Sequence, residues 1–208
     1  IWVLFEWLRS WLLTGFPWAY AGYSVLDSPL HGWIPVIGIY GCSWLVISLG
    51  CLWVESLRRP GVTSRWFVTA AYTGLLWAGA LLWSGMNWTT AMGEPIRVAA
   101  VQPNVPLTEK WAPRHRQRIL QSVEDTSSML IGQHDLIVWP ESALPGYHDQ
   151  FRVEMNRLGE AAASQGTALI TGVPTRDSTG RFNSIVALGN GYGEYRKQKL
   201  VPFGEYVP

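Results

Sequence analysis

The sequence predicts a chain in two parts: a partial bundle of membrane-spanning α-helices, followed by an α/β domain with a mainly parallel sheet. Only 8 of the 31 charged residues precede Ile96, whereas 11 of the 13 tryptophans lie in that charge-poor first part. Indole rings favour the two interfaces of a bilayer, so this distribution is typical of membrane helices. Beyond Ile96, short apolar runs alternate with helical stretches, as in parallel strands joined by right-handed crossovers. We therefore predict a membrane region over residues 1–95 and a soluble domain over residues 96–208.

Two uncharged segments of the first part are long enough to cross a membrane. They contain 23 and 28 consecutive residues without a formal charge, and a helix needs about 20 residues to span the hydrocarbon core. We predict membrane spans at about 33–54 and 66–85. The apolar residues 1–13 are predicted to end a further span that begins upstream, because the chain starts inside this apolar run.

Glu6 and Arg9 interrupt the apolar run at the start of the chain. Charged side chains inside a span are costly and often functional. Side chains three residues apart share one face of a helix, so these opposite charges can offset one another. An internal ion pair, or a position near the membrane interface, favours a structural role. The following residues 14–32 contain several glycines and prolines, which predicts a loop.

The short connecting loops predict the orientation in the membrane. The loop 55–65 contains three arginines, whereas the loops 14–32 and 86–95 contain neither lysine nor arginine. Positively charged loops stay on the cytoplasmic side. We therefore expect the loop 55–65 in the cytoplasm and the soluble domain on the opposite side of the membrane.

The second part contains five apolar runs that are typical of strands, with two helical stretches between the first three. The Gly-rich residues 189–191 separate the last two runs, which predicts a β-hairpin. In chain order, the expected elements are strand 96–102, helix 113–131, strand 136–139, helix 150–165, strand 168–171, and a hairpin formed by 182–188 and 193–197.

Composition argues against several classes of protein. The net charge is +1 and no dense run of lysine or arginine is present, so nucleic acid is not an expected partner. The two cysteines and four histidines lack the spacing of a disulfide framework or a zinc site. We expect neither a metal ion nor another cofactor.

Glu141 lies just beyond the predicted strand 136–139, and ligands of open α/β sheets gather at the carboxyl ends of the strands. Pro140 restricts the backbone before it, and the apolar Trp139 and Leu144 are placed to desolvate the carboxylate. Such a carboxylate can take a proton from a nucleophile. A surface glutamate at a turn after a strand explains this motif equally well.

Lys197 ends the last predicted strand, and a lysine near a carboxylate can donate to the oxygen that becomes negative when a carbonyl is attacked. Taken alone, it is better explained as a solvated lysine. Glu205 follows a Val-Pro-Phe-Gly turn, in which glycine allows a close backbone approach. Its carboxylate could orient the lysine or a second substrate. The combination is far more specific than any of the three residues alone.

Four segments together resemble one family. They are FEWLR at 5–9 with LTGFPW at 13–18, VQPNVP at 101–106 with KW at 110–111, WPESALP at 139–145, and YRK at 195–197 with LVPFGEYVP at 200–208. With them the chain resembles the apolipoprotein N-acyltransferases, the membrane-embedded branch of the nitrilase (carbon-nitrogen hydrolase) superfamily. The last segment is specific to this branch, whereas the superfamily shares the Pro-Glu and lysine elements.

The resemblance implies a fold and a set of roles. The soluble domain would be the first half of a four-layer αββα sandwich. Glu141 would be the general base, Lys197 the lysine that stabilises the oxyanion, and Glu205 an auxiliary active-site carboxylate. Lys199 competes for the lysine role, although the Tyr-x-Lys-x-x-Leu spacing of the family favours Lys197. Trp111 would help to line the substrate site, but a lone tryptophan on a loop more often packs onto its own domain.

The resemblance also implies a nucleophile that these residues do not supply. In the family, a cysteine beyond the second conserved glutamate forms a thioester with the acyl chain, and this sequence ends before that point. Cys42 and Cys51 both lie in a predicted span, where a free cysteine usually behaves as a small buried apolar residue. We expect a fragment, truncated at both ends and inactive by itself.

By resemblance, the intact enzyme moves an acyl chain from a phospholipid to the α-amino group of a diacylglyceryl-modified N-terminal cysteine of a lipoprotein. It would act as a monomer in the bacterial inner membrane, with several spans and with its nitrilase-like domain on the periplasmic side. One alternative is a membrane-anchored amidase of the nitrilase type, which releases the acyl group to water. Another is a non-catalytic membrane module that binds lipid or lipoprotein.

Overall fold

The computed structural model describes residues 1–207, which form two compact units. The first unit contains Ile1–Met92 together with residues 199–207, and the second contains Gly93–Gln198. The sequence assigned residues 199–207 to the second domain. In the structure they pack on the loop after the first helix, where the Thr14 hydroxyl donates to the Leu200 carbonyl at 2.6 Å. The Tyr206 hydroxyl donates to the Leu13 carbonyl at 3.2 Å.

The first unit is helical. Its helices are α1 (Trp2–Arg9), α2 (Ile34–Arg58) and α3 (Thr63–Ser84), with short 3-10 turns at Leu12–Thr14, Ala21–Val25 and Pro29–Trp33. By length and composition, α3 is able to cross a membrane, and so is α2 together with the 3-10 turn that precedes it. Both predicted spans are therefore helical, as expected. Gly38 leaves the helical conformation with φ 66° and puts a kink in α2.

Polar contacts hold α2 against α3. The hydroxyls of Ser56 and Thr69 lie 2.8 Å apart in a buried position, and those of Ser48 and Tyr72 are also 2.8 Å apart. Lipid is as apolar as a leucine side chain, so helices in a bilayer gain less from apolar contact than from packing and hydrogen bonds between them. These hydroxyl pairs therefore supply specific contacts between two otherwise apolar helices.

Glu6 and Arg9 do not form the expected ion pair. The carboxylate of Glu6 accepts from the indole N–H of Trp2 at 2.9 Å and from the backbone N–H of Ala21 at 2.8 Å. Arg9 instead donates to the carbonyl of Trp18 at 3.0 Å. No ion pair between them lies within 4 Å in the part of the chain that the structure describes. The ion-pair alternative is therefore wrong, because backbone groups of the following loop contact Oε1 of Glu6 and the guanidinium of Arg9, which ties α1 to that loop.

The second unit is a five-stranded sheet with helices on one face. Strands β1, β2 and β3 pair in parallel, and β3, β4 and β5 pair antiparallel, in the spatial order β1-β2-β3-β4-β5. In chain order the elements are β1 (Val98–Ala100), α4 (Leu107–Lys110), α5 (Arg116–Leu130), β2 (Leu136–Val138), α6 (Arg152–Ser164), β3 (Ala168–Arg176), β4 (Arg181–Gly189) and β5 (Gly193–Arg196). The structure confirms the predicted strands and the hairpin, although β1 is shorter than expected.

Strand β3 continues five residues beyond the predicted end at Thr171. Gly172 and Pro174 follow that predicted end, and both residue types are uncommon inside strands. Strand β2 pairs with β3 only as far as Ile170, so the rest of β3 has an open edge on that side. Proline is tolerated at such an edge. Pairing with β4 then carries β3 to Arg176.

The core lies between the sheet and the helices α5 and α6. Side chains alternate between the two faces of a strand. The centre of the face toward the helices is buried and apolar, and it contains Ile137, Leu169 and Val173. On the opposite face Ile185 and Tyr195 remain exposed. The carboxyl ends of β2 and β3, the start of β4 and the end of β5 lie at one end of the sheet.

Candidate functional site

Glu141 lies on a tight turn that follows β2. The turn stays attached to β3, because the N–H of Trp139 donates to the Ile170 carbonyl at 2.8 Å and the N–H of Ala143 donates to the Gly172 carbonyl at 2.9 Å. Between these two contacts Ser142 takes φ 50°, in the left-handed region that non-glycine residues rarely adopt. Strained residues of this kind are concentrated at functional sites.

Gly172 allows the turn to lie directly on β3. A Cβ atom at position 172 would be 2.7 Å from the Cα of Glu141 and 2.9 Å from the carbonyl oxygen of Pro140. Such contacts are too close for any side chain, so glycine is required at this position for the observed path of the turn. The sequence reasoning missed this residue. The available signal was a glycine inside a strand, which often marks close approach of another backbone.

Asn183 and Lys197 converge on Glu141 from β4 and from the residue after β5. The side-chain amide of Asn183 donates to Oε1 of Glu141. The ammonium of Lys197 lies 3.8 Å from the same oxygen. The backbone N–H of Lys197 also donates to the Asn183 carbonyl at 2.8 Å, which extends the β4–β5 pairing by one residue. The structure therefore brings the predicted Glu141 and Lys197 together and adds Asn183, which the sequence reasoning did not single out.

The expected desolvation of Glu141 is wrong. Its side chain is 65% exposed. Trp139 is only 3% exposed, but its indole lies in the core and donates to the hydroxyl of Ser127 at 2.8 Å. Leu144 is likewise fully buried in the core. Both apolar side chains face the helices, so the carboxylate between them in sequence stays in contact with solvent.

Lys110 and Trp111 lie beside the turn. The ammonium of Lys110 donates to the backbone carbonyl of Glu141 at 3.4 Å, and it lies 6.0 Å from the centre of the Trp111 ring. Trp111 itself is 53% exposed at the end of α4. Its ring is therefore only partly packed onto its own unit and leaves a large aromatic surface available to a ligand.

A cavity of about 300 Å³ opens beside the three converging side chains. Its polar side is formed by Glu141, Asn183 and Lys197, and its apolar wall includes Ile170 and Tyr195. This volume is at the lower end of the range for small-molecule sites. A carboxylate that accepts protons, next to an ammonium and an amide that donate, is suited to acyl transfer. The carboxylate can activate a nucleophile, and the ammonium can stabilise an oxyanion.

A polar network on the opposite face of the sheet fixes the strands that carry the site. Ser184 pairs with Arg196 across β4 and β5, and each is the neighbour of a site residue. Arg196 donates to Glu194 at 2.9 Å and to Asp177 at 2.6 Å. The guanidinium of Arg196 lowers the pKa of Glu194 below its ordinary value of 4.5. The pKa of Asp177 is lowered first by the hydroxyl of Thr179, and then by Arg196.

Glu205 and the cysteines lie in the first unit. One carboxylate oxygen of Glu205 accepts from the backbone N–H of Val201 at 2.8 Å, across a turn in which Phe203 takes φ 61°. Cys42 is buried and Cys51 is exposed, and both are free thiols on α2. The competing Lys199 belongs to this unit as well. Across residues 1–207, no group of three histidine, cysteine or acidic side chains could hold a metal ion.

Two family models match the chain. The carbon-nitrogen hydrolase model matches residues 97–208, and the model of the apolipoprotein N-acyltransferase N-terminal domain matches residues 1–52. Together they cover α1, most of α2 and nearly all of the second unit, whereas α3 lies between the two matched ranges. The first of these models alone covers more than half of the chain.

The chain is also similar over its whole length to individual proteins. The apolipoprotein N-acyltransferase of Pseudomonas paraeruginosa is 43% identical over 215 aligned residues, which cover 100% of this chain and 42% of that protein. The apolipoprotein N-acyltransferase of Methylococcus capsulatus is 37% identical over 213 aligned residues, which cover 100% of this chain and 41% of that protein. This chain therefore spans less than half of the length of these relatives. Among solved structures, the chain is similar to the NitN amidase of Neterenkonia sp. AN1, with 22% sequence identity. The match covers 55% of this chain and 49% of the amidase chain. Its TM-score of 0.39 is too low to inform on function.

Proposed function

We propose that this chain, which belongs to the carbon-nitrogen hydrolase family, works as an apolipoprotein N-acyltransferase. The observation that carries the proposal is the convergence of Glu141, Lys197 and Asn183 at the end of the sheet where β2 and β5 end and β4 begins. The similarity to acyltransferases along both units supports it. The acyl donor would be a phospholipid, and the acceptor would be the free α-amino group of a diacylglyceryl-cysteine lipoprotein.

The proposed first step forms a thioester. The carboxylate of Glu141 takes the proton of a cysteine thiol, and the sulfur attacks the ester carbonyl of the phospholipid. The carbonyl oxygen becomes negative in the tetrahedral intermediate, where the ammonium of Lys197 stabilises it. The C–O bond to glycerol then breaks, and Glu141 returns the proton to the departing alkoxide. The products are an acyl-enzyme thioester and a lysophospholipid.

The proposed second step transfers the acyl group to nitrogen. The α-amino group of the lipoprotein attacks the thioester carbonyl, and Glu141 accepts the proton that the nitrogen loses. Lys197 again stabilises the oxyanion, the C–S bond breaks, and Glu141 returns the proton to the departing thiolate, which leaves the free thiol and an amide. A covalent intermediate divides one difficult exchange into two easier ones, and it predicts ping-pong kinetics.

The cysteine that attacks the ester is proposed to lie outside these 208 residues. In the acyltransferase branch it follows the second conserved glutamate, and the relatives are more than twice as long as this chain. Neither Cys42 nor Cys51 is assigned this role, because both lie on α2 among apolar residues. The 208-residue chain alone is accordingly proposed to be inactive.

Two further residues are given supporting roles in the proposal. Trp111, with its half-exposed ring beside Lys110, would contact the lipid or lipoprotein substrate. Glu205 would act as an auxiliary carboxylate of the active site. The protein would be a monomer that lies in the inner membrane through α2, α3 and further spans. Its second unit would be periplasmic, opposite the arginine-rich loop that joins α2 to α3.

An assay with the purified full-length gene product tests this function. It would be mixed with phospholipid vesicles and a diacylglyceryl peptide whose amino terminus is free, and the peptide mass would be followed. We expect the peptide to gain one acyl group, whereas a matched peptide with an acetylated amino terminus should gain none. Hydrolysis of a small amide without peptide acylation would support the amidase alternative. Binding of lipid or peptide without any turnover would support a non-catalytic module.

A further inference from the structure

We propose that Asn183 is the positioning residue of Glu141, and that its hydrogen bond gives the two carboxylate oxygens different roles. Oε1 is the anchored oxygen, and Oε2 is the oxygen that takes the proton from the nucleophile. The inference rests on the proposed function, because it names a second residue and a single atom for the same proton transfer.

The direction of the contact between Asn183 and Glu141 follows from chemistry. An ionised carboxylate only accepts hydrogen bonds, whereas an amide carries one accepting and one donating end. The Asn183 atom against Oε1 is therefore the nitrogen, and the contact is a charge-assisted hydrogen bond, which is stronger than one between neutral groups. An aspartate at this position would instead place two negative charges against each other.

Asn183 is well placed to hold another side chain still. It lies in β4, which is paired with β3 on one side and with β5 on the other. Its register partner in β3 is Pro174, and its carbonyl accepts from the N–H of Lys197 at 2.8 Å. The next residue, Ser184, is buried and lies 2.7 Å from the hydroxyl of Thr175 on the opposite face. The backbone of Asn183 is thus fixed on every side.

Glu141 needs such a restraint because nothing apolar encloses it. Its side chain is 65% exposed and projects from a turn rather than from a strand. A catalytic group has to be held within about 0.5 Å of its working position, and a neighbouring residue with a locked rotamer provides this. Gly172 fixes the backbone of Glu141 by close contact, and Asn183 fixes the carboxylate.

The two oxygens of Glu141 differ in their surroundings. Oε1 receives the amide of Asn183 and lies 3.8 Å from the ammonium of Lys197. No described residue donates a hydrogen bond to Oε2. Hydrogen bonds and a nearby positive charge stabilise the negative charge on the oxygen that receives them, so Oε1 is the poorer proton acceptor. The geometry leaves Oε2 for the nucleophile.

The test uses three variants of the full-length gene product and measures the rate of acyl-enzyme formation against pH. Asn183→Ala removes the restraint and is expected to lower kcat by about 10- to 100-fold, the range found when the hydrogen-bond partner of a metal ligand is removed. The KM for the phospholipid should stay within a few-fold of wild type. Asn183→Asp keeps the shape but adds a carboxylate, and it should also move the acid limb of the pH–rate profile to higher pH. Asn190→Ala, the same change at an exposed position of the β4–β5 turn, should behave as wild type.

The structure of the Asn183→Ala variant gives a readout that does not depend on activity. We expect the carboxylate of Glu141 to leave the position that it holds in the wild-type protein, while the fold and the melting temperature stay the same. An unmoved carboxylate, or an Asn183→Asp enzyme with the wild-type rate and pH profile, would overturn the inference. A wild-type enzyme without acyl transfer would instead count against the proposed function, and the displacement of Glu141 would still decide the positioning role.

Discussion

The Cα of Glu141 lies so close to Gly172 that a Cβ atom on the glycine would be only 2.7 Å away. The turn that carries the carboxylate is therefore seated on the backbone of β3 without any side chain between them. Since β3 continues into the hairpin with β4 and β5, the same strand positions Glu141 on one side and supports Asn183 and Lys197 on the other. The geometry of the site depends on this contact.

Gly172→Ala is predicted to displace Glu141 and to impair catalysis. The added methyl group must push the turn away from β3, and overpacking of this kind typically costs about 1–3 kcal/mol of stability. A displacement of about 1 Å at the reacting groups can lower the rate by about 100-fold. The rate of acyl transfer and the melting temperature would be measured together. Gly191→Ala, which adds a methyl group at ordinary contact distances, is the matched control and should leave both close to wild type.

Lys197→Met is predicted to lower the rate of acyl transfer by about 100- to 1000-fold, which is the usual cost of removing one donor to an oxyanion. Methionine keeps much of the length of the side chain but removes its charge. Lys199→Met provides the control, since it makes the same change two residues away. Steady-state kinetics of both variants would check this. A larger loss for Lys199→Met than for Lys197→Met would reverse the assignment of the lysine.

Trp111 and Trp139 are predicted to respond in opposite ways to substitution. Trp111 is half exposed, so Trp111→Ala should raise the KM for lipid or lipoprotein and change stability by no more than about 0.5 kcal/mol. Trp139 is buried in the core, so Trp139→Ala should cost about 3–5 kcal/mol. Thermal unfolding and substrate titration of both variants would measure this difference. A Trp111→Ala variant with unchanged KM would remove this residue from the substrate site.

The Arg196 network predicts how stability depends on pH. Contact with Arg196 lowers the pKa of Glu194, and the Thr179 hydroxyl together with Arg196 lowers that of Asp177. A carboxylate whose pKa is lower in the folded state stabilises the fold fully above its unfolded pKa, and this contribution is lost as the pH falls through the folded pKa. The melting temperature should therefore fall as the pH is lowered from about 5 toward 2.

Arg196→Met should flatten this acid dependence, because it removes the shared partner of both carboxylates. The control is Arg157→Met, which removes an exposed ion pair with Glu124 on the helices and should keep the wild-type slope. Melting temperatures by circular dichroism over the acid range would show the difference. Equal slopes for wild type and Arg196→Met would mean that the network does not produce the acid sensitivity.

The orientation in the membrane can be tested with single cysteines in a variant of the full-length gene product from which Cys42, Cys51 and every other cysteine have been removed. Gly61, between α2 and α3, has open space around it, and Tyr192 is almost fully exposed in the β4–β5 turn. We expect Gly61→Cys to react with a membrane-impermeant reagent only from the cytoplasmic side. Tyr192→Cys should react only from the periplasmic side. Labelling of both positions from one side would contradict the proposed topology.

The sequence predicted the elements of the sheet because their signals are local. Apolar runs bounded by turn residues mark β2 and β4, and the strand-helix-strand order predicts parallel pairing. Glu141 was found in the same way, since it follows an apolar strand and the carboxyl ends of such strands carry the functional groups of α/β sheets. Lys197 was recognised only in combination with other motifs.

What the sequence did not reveal depends on register. Asn183 reaches Glu141 because β4 pairs with β3 in the register that places Pro174 opposite Asn183. The turn at 177–180 sets this register, and the sequence reasoning did not identify that turn. The need for glycine at position 172 likewise arises only because the turn that carries Glu141 lies against it. The ion pair expected between Glu6 and Arg9 failed for a related reason. The helical spacing was right, but the backbone of the loop that follows α1 contacts both side chains instead.

Glu141 is proposed to be the base that activates the nucleophile, and this role can be measured as the rate at which the full-length protein forms its acyl-enzyme. The covalent intermediate would be followed by mass spectrometry of the intact protein after mixing with phospholipid. We predict that Glu141→Gln lowers this rate by about 100- to 10,000-fold, the contribution expected of a general base. Glu160→Gln, the same change on the exposed face of α6, should leave it unchanged. Formation of acyl-enzyme by Glu141→Gln at the wild-type rate would contradict the account.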